Sequence, residues 1–450
     1  MNRSSSSPSP ARVASADSWK RAAQPVGVVG LGYVGLPLML GYAAEGFEVC
    51  GFDIDESKVS SLRRGESYIQ HISSVALTEA VEGKLLSATT DFSKASEMGA
   101  LIICVPTPLD RHHEPDLSYV IATVDALLPH LVEGQVLSLE STTWPGTTEE
   151  ILRPKLEEKG FVIGENFYLI YSPEREDPGN EEFAGPSIPK VVGGTTAACL
   201  QVGVELYGRV FSQVVPVEST KVAEFSKLLE NIYRAVNIGL VNELKVVAQK
   251  MDIDIWKVID AAASKPFGFK AFYPGPGLGG HCIPIDPFYL TWKAKEYGVH
   301  TRFIELAGEI NKGMPEYVVQ RVSEALNECK KPVKGSRILL MGLAYKSDVD
   351  DMRESPTFHL MDRLKELGGE VSYFDPHIPE VTPTREHAEW TGQKSIEWSE
   401  KEISAFDAVV ISTTHSSYNL EELVAWSECI VDTRDALEGI DAAEGKVFKA

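Results

Sequence analysis

The chain reads as an α/β protein: two Rossmann-like, doubly wound lobes joined by a central helical segment with one long helix. Three observations predict this. Short apolar runs alternate with helical stretches before residue 216 and again after residue 336. The first run ends in a GxGxxG turn. Between the two α/β stretches the apolar spacing changes to the helical period. At 450 residues the chain is too long for one core. The expected divisions are a disordered tail over 1–24, a first Rossmann domain over 25–215, a central helical domain over 216–328 and a second Rossmann-like domain over 329–450.

Composition narrows the class. A hydrophobic fraction of 43% is ordinary for a soluble enzyme, and no apolar run is long enough to span a bilayer. A net charge of -22 argues against nucleic-acid partners, which need a basic surface. The six cysteines show neither a CxxC pair nor zinc spacing, which argues against a disulfide framework or a structural metal and for a reducing, cytoplasmic setting. The first two dozen residues are rich in Ser, Pro and Ala and have no apolar core for a signal peptide, hence the assignment as a tail.

Val26-Gly27-Val28-Val29 suits a buried parallel strand and leads straight into Gly30-Leu31-Gly32-Tyr33-Val34-Gly35. The helix that follows runs from Leu36 to Glu45 and stops at Gly46; the next strand, from Glu48 to Phe52, ends on Asp53. In this setting the first glycine permits the tight turn, the second admits a pyrophosphate to the backbone, and the third lets helix pack on strand. N–H groups at the helix N-terminus face the phosphates. Asp53 stands about 20 residues past the motif, where a carboxylate accepts from both hydroxyls of an adenosine ribose and repels a 2′-phosphate. The expected cofactor is therefore NAD rather than NADP. Lys58 either supports the same ribose or belongs to a solvated helix face.

The apolar runs from Ala100 to Val105 and from Val136 to Glu140 lead into Pro106-Thr107-Pro108 and Ser141-Thr142-Thr143. Loops at the carboxyl ends of parallel strands hold the ligands of doubly wound sheets. Thr107 and Thr142 are thus candidates for cofactor contact, with plain turn chemistry as the alternative. A further run, from Phe167 to Tyr171, ends in Ser172-Pro173-Glu174-Arg175 and brings a carboxylate to the same edge.

From Val217 the period is helical. Val222, Phe225, Leu228, Leu229, Ile232 and Val236 form an apolar stripe expected on a long buried helix from Thr220 to Met251. Lys227 and Asn231 stand one turn apart on one face of it, either in need of buried partners or on a solvated stripe. Such a helix between two lobes can also carry a dimer interface. Thr291 to Asn311 reads as a further helix. Ahead of it comes Pro274-Gly275-Pro276-Gly277-Leu278-Gly279-Gly280-His281-Cys282-Ile283-Pro284-Ile285-Asp286. Its glycines let the backbone approach a ligand closely, and it delivers one thiol and, four residues later, one carboxylate. It reads as a catalytic loop; the alternative is a connection whose Cys packs as a small hydrophobe.

After a polar link from Lys330 to Ser336 the opening design repeats. A strand runs from Arg337 to Gly342, a helix begins at Ser355-Pro356, Glu370 to Asp375 matches Glu48 to Asp53, and Asp407 to Ser412 mirrors the third strand. No GxGxxG follows, so this lobe is expected to take another ligand.

These residues resemble the UDP-glucose/GDP-mannose dehydrogenase family from Val26 to near the C-terminus: GLGYVGLP, VPTPL, STTWPGT, SPER, EFSKLLEN, PGPGLGGHCIPID and AYKSDVDDMRESP occur in the family's order and spacing. The run KPFGFKAFYPGPGLGGHCIPIDPFYLTWKAKEYG is most similar to bacterial members that oxidise UDP-N-acetylglucosamine. The resemblance implies oxidation of the sixth carbon of a UDP-sugar, a primary alcohol, to a carboxylate with two NAD per sugar, in a homodimer or a multiple of one, feeding polysaccharide synthesis. Cys282 resembles the family nucleophile, which adds to the intermediate aldehyde as a thiohemiacetal that is oxidised to a thioester. Lys227 matches the family lysine that stabilises the oxyanions and holds the thiolate, and Asn231 would order a water or the sugar oxygen. Asp286 resembles the carboxylate that works with Lys227 as general base, Glu174 the one that serves thioester hydrolysis, and Thr142 would hold the water.

By the same motifs the cofactor contacts are the six residues from Gly30 to Gly35, Asp53, Lys58, Val105, Pro106, Thr107, Ser141, Thr142, Thr143 and Arg353. Substrate contacts are Tyr273, Gly277, Lys346 and Arg434, the last at the diphosphate, where cations receive a dianion. The sequence departs from the family in three places. Lys265 to Lys270 holds only lysines where many members carry an arginine that reaches the neighbouring subunit's sugar, which leaves apolar space for an N-acetyl group. Asp435 follows Arg434 where the family has Asn, and is expected to neutralise it in part. The Ser/Pro tail has no counterpart.

UDP-glucose and UDP-N-acetylmannosamine are the alternative substrates. A two-electron hydroxyacid-type dehydrogenase shares the dinucleotide lobe and a Lys/Asn helix but has no use for Cys282. A catalytically dead binding module would have lost Lys227, Cys282 or Asp286, and all three are present.

Overall fold

A computed structural model describes residues 19–69, 72–110, 114–175, 185–280, 283–384 and 387–450. They divide into two units, one ending at Phe225 and the other made of Ser226–Ala450 with Pro108–Asp116. None of the described helices is long and apolar enough to cross a membrane.

The first unit is built on eight strands: β1 Val26–Val29, β2 Val49–Phe52, β3 Leu86–Thr89, β4 Ala100–Ile103, β5 Val136–Leu139, β6 Tyr168–Tyr171, β7 Lys190–Gly194 and β8 Val214–Val217. Their order is β3-β2-β1-β4-β5-β6-β7-β8, with every neighbouring pair parallel except β6 and β7. The order reverses between β1 and β4, the position where doubly wound sheets receive ligands. The central strands are mainly apolar, as strands covered on both faces are; all residues of β1, β2, β4, β5 and β6 are buried. Asp53, Val105 and Glu140 lie just past the last ladder residue, where side chains are released to the carboxyl edge.

The segment expected to be a disordered tail is ordered from Trp19. Trp19 is 3% exposed, its indole donates to Gly134 O at 3.2 Å, and the Arg209 guanidinium stacks over it. One large aromatic anchors residues 19–24 to the first unit. Residues 1–18 lie outside the described part.

The second unit carries β9 Arg337–Met341, β10 Glu370–Phe374, β11 Ala408–Ile411, β12 Ile430–Asp432 and β13 Val447–Lys449. Their order is β10-β9-β11-β12-β13, all parallel. The internal repeat extends to a hydrogen bond. Asp53, after β2, accepts from Leu31 N at 2.9 Å; Asp375, after β10, accepts from Leu343 N and Ala344 N at 2.7 and 2.8 Å. In each lobe an acid closing the second strand latches the turn after the first.

The long helix runs Thr220–Lys250, close to its expected span, but its apolar stripe is divided. Leu228 is buried, whereas Phe225 and Leu229 are 44% and 58% exposed, and Leu240, Leu244, Val247 and Met251 continue that exposed face. The helix that was expected over Thr291–Asn311 is two, Asp286–Glu296 and Arg302–Glu328. The chain breaks at Gly298, whose φ of 69° is left-handed and ends the first helix.

Candidate active site

In the second unit, Lys227 and Asn231 project from the long helix and Asp286 opens the helix Asp286–Glu296. They are 7%, 3% and 1% exposed, which removes the solvated-stripe alternative. Asn231 Nδ2 donates to Asp286 Oδ2 at 2.5 Å. Burial raises the Asp286 carboxyl to about 7, against the pull of the Lys227 ammonium and the Asn231 amide. A carboxyl that titrates near neutrality beside a fixed ammonium is suited to moving a proton and stabilising an oxyanion. Cys282, four residues before Asp286 in the sequence, lies outside the described residues, as does His281.

The glycine loop leading to Cys282 is pinned by two asparagines that sequence reasoning missed. Gly275 N donates to Asn242 Oδ1 at 3.0 Å, Asn242 Nδ2 to Asn311 Oδ1 at 2.9 Å, and Asn311 Nδ2 to Ala235 O at 3.0 Å. Both amides are buried, and the signal was an asparagine recurring within otherwise apolar helix faces. A Cβ at Gly275 would lie 2.4 Å from Arg434 Nη1, so only glycine lets that guanidinium rest on the loop backbone.

Arg434 donates Nε–H to Ser412 O at 2.8 Å. Burial lowers it to about 10, opposed by Asp432, which leaves it a cation at neutral pH. Asp435 does not neutralise it as expected: at φ 58°, a left-handed position that suits Asn and Asp, it turns to Lys449 Nζ at 2.6 Å. The Tyr273 hydroxyl donates to Asp260 at 2.8 Å, Lys346 is half-buried in the loop after β9, and the exposed Arg353 guanidinium is held by Asp351. Gly277, with φ 148°, lies in the same loop as Gly275.

In the first unit the turn after β1 fits a dinucleotide. Gly30 has φ 93°, a Cβ on Gly35 would fall 1.9 Å from Gly30 O, and nothing lies within 4 Å of a Cβ on Gly32, which leaves the backbone at Gly32 open to a phosphate. Lys58 Nζ is 3.4 Å from Asp53, so the two act as a pair. Ser141 Oγ donates to Val105 O at 2.7 Å and joins the loops after β4 and β5. Thr107 is buried, Thr142 is half-buried, and the buried Thr143 hydroxyl has no partner among the described residues, as a ligand contact would require. Pro106 sits beside Val105 in the same loop. Glu224 clamps the loop after β5, accepting from Gly146 N, Thr148 N and Thr148 Oγ1 at 2.6, 2.9 and 2.7 Å.

Glu174 is tied into a buried ion-pair triad that the sequence did not reveal. Lys190, 2% exposed, bridges Glu174 Oε2 at 3.1 Å and Glu140 Oε2 at 3.0 Å. Burial pulls the Lys190 ammonium down, but the two carboxylates outweigh it and hold the pKa above the ordinary lysine value. Arg175 N donates to the other Glu174 oxygen at 2.6 Å.

Comparison with known proteins gives this arrangement its lineage. Models of the UDP-glucose/GDP-mannose dehydrogenase family match residues 24–211 with the NAD binding domain, 221–313 with the central domain and 339–439 with the UDP binding domain. The chain is 36% identical over 396 residues to a UDP-N-acetyl-D-glucosamine 6-dehydrogenase of Pseudomonas aeruginosa, covering 87% of this chain and 91% of that protein. It is 32% identical over 424 residues to a UDP-N-acetyl-D-mannosamine dehydrogenase of Methanococcus maripaludis, covering 91% and 92%. The solved UDP-D-ManNAc dehydrogenase of Pyrococcus horikoshii superposes with a TM-score of 0.84 at 29% identity, over 94% of this chain and 98% of that one. With all three family domains in order and identities of this size over most of each chain, the protein belongs to the UDP-glucose/GDP-mannose dehydrogenase family of NAD-dependent oxidoreductases.

Proposed function

We propose that the protein oxidises the 6-hydroxymethyl group of UDP-N-acetylglucosamine to the carboxylate, in the cytoplasm, with two NAD consumed per sugar. The observation that carries this reading is the buried Lys227–Asn231–Asp286 group, with its carboxyl near 7. Bound NAD supplies the hydride acceptor. Asp286 takes the alcohol proton as hydride leaves, and Lys227 balances the charge on oxygen. Cys282 adds to the aldehyde; loss of a second hydride leaves a thioester, and water assisted by Glu174 releases the acid and the thiol. Tyr273, Gly277, Lys346 and Arg434 hold the UDP-sugar, and Arg353 belongs to the cofactor contacts. The acetamido specificity is supported by the Pseudomonas aeruginosa relative and by the Phe267 and Phe269 side chains, 72% and 44% exposed beside the glycine loop.

The test is NADH formed per sugar at completion. Two NADH on UDP-N-acetylglucosamine alone is the expected result. Two on UDP-N-acetylmannosamine or UDP-glucose instead would overturn the substrate, and one NADH would overturn the four-electron chemistry.

Since Asp286 must be ionised to accept a proton, kcat/KM is expected to rise as pH passes upward through about 7. Asp286→Asn should remove that limb from the pH profile together with about two to three orders of magnitude of rate. The exposed apolar face of the long helix supports a homodimer built on it. Leu229→Asp with Leu244→Asp is expected to convert a dimer to monomer in sedimentation experiments; an unchanged mass would place the interface elsewhere.

A further inference from the structure

A small cleft in the second unit is lined by Lys245, Asp254, Trp256, Tyr317, Lys449 and Ala450, among others. Lys245 is 2% exposed and Trp256 5%. Neither the Lys245 ammonium nor the Trp256 indole N–H has a hydrogen-bond partner among the described residues. The Trp256 and Tyr317 rings lie 5.2 and 5.8 Å from Lys245 Nζ, a cation–π contact that leaves all three ammonium protons unshared. An unpaired ammonium is costly to bury.

The charges around it are committed elsewhere. Lys449 pairs with Asp254 and Asp435. Arg321, on the helix Arg302–Glu328, pairs with Glu324 and donates to Lys449 O. Arg434 donates to Ser412 O, and the Asp432 carboxylate accepts from the backbone of Arg434 and Leu437. Two donors without acceptors, one of them cationic, therefore stand sealed in the wall of one cleft, which Asp254 and Ala450 line beside Lys449.

We propose that this cleft binds a phosphate-like oxyanion, with Lys245 and Trp256 as its donors. The inference borders the proposed UDP-sugar site at Arg434 but does not depend on the sugar oxidation. The oxyanion comes either from free phosphate or from the diphosphate of a nucleotide, since Arg434 rests on the glycine loop and its charge is felt at Lys245. Burial, Arg434 and Arg321 push Lys245 down to about 7 against the pull of Asp432. An arriving anion restores the ammonium, so binding takes up a proton at higher pH.

Sulfate is the probe of choice, because its charge does not change near neutrality. Calorimetric titration of the full chain is expected to show saturable sulfate binding about ten-fold or more weaker at pH 8.5 than at pH 6.5. Lys245→Met should lose that binding while remaining folded by circular dichroism. Trp256→Phe, which keeps the ring and removes the N–H, should weaken it several-fold. Displacement of sulfate by UDP would identify the nucleotide as the source, and simultaneous binding would identify the free anion. Absence of saturable binding, or binding that Lys245→Met and Trp256→Phe leave unchanged, would overturn the proposal.

Discussion

Replacing Cys282 with serine is expected to lower steady-state turnover by about three orders of magnitude or more and to trap the sugar on the enzyme as an ester. The reason lies in the second oxidation. An aldehyde holds its hydrogen until a nucleophile has added and given the carbon an oxyanion to collapse. A thiol ionises far more readily than a serine hydroxyl and is the stronger nucleophile, so the serine adds slowly, and the oxygen ester that results is a poorer substrate for water than a thioester. Intact-protein mass spectrometry after mixing with UDP-N-acetylglucosamine and NAD should show the adduct on the serine variant. Cys282→Ala, which has no atom to add, should stop after the first hydride. Undiminished turnover of the serine variant, with two NADH per sugar, would remove Cys282 from the chemistry.

What the sequence disclosed and what it withheld follow from how far apart the interacting residues are. The strands were legible because parallel strands buried on both faces are apolar at nearly every position, as β1 and β4 are. The turn after β1 and its terminal Asp53 were legible because one short βαβ unit holds the whole motif. The triad of Lys190, Glu140 and Glu174 was not. Its members sit at three strand ends up to 50 residues apart, and only the sheet order brings them together. Asn242 and Asn311 are 69 residues apart and hidden in the same way.

The long helix failed differently. Its apolar positions follow the helical period, but periodicity does not say which apolar face is covered, and Phe225 and Leu229 stay 44% and 58% exposed among the described residues. Lys227, Asn231 and Asp286 were named as a group through the family resemblance; spacing alone left a solvated stripe open. Their burial decides between the two.

The Lys190 triad yields the second large expected effect. Lys190→Met leaves two carboxylates facing each other in a site from which water is largely excluded, Glu140 already raised by burial and by Glu174 and lowered by Lys190. Without the ammonium the pair retains a proton near neutrality, shared between the two groups. Glu174 then spends part of its time uncharged and cannot activate water. Both hydride transfers precede that step, so the variant is expected to release a burst of two NADH per active site and then turn over about two to three orders of magnitude more slowly. Hydroxylamine should intercept the accumulated thioester. Stability is expected to fall by about 3–5 kcal/mol, the cost of breaking a buried pair from one side, and thermal unfolding would register it. Lys190→Arg, which keeps the charge, should restore much of both. Glu140→Gln separates catalysis from structure: it leaves the Lys190–Glu174 pair intact and should preserve hydrolysis. A folded Lys190→Met variant with an unchanged steady-state rate would show that thioester hydrolysis does not depend on an ionised Glu174.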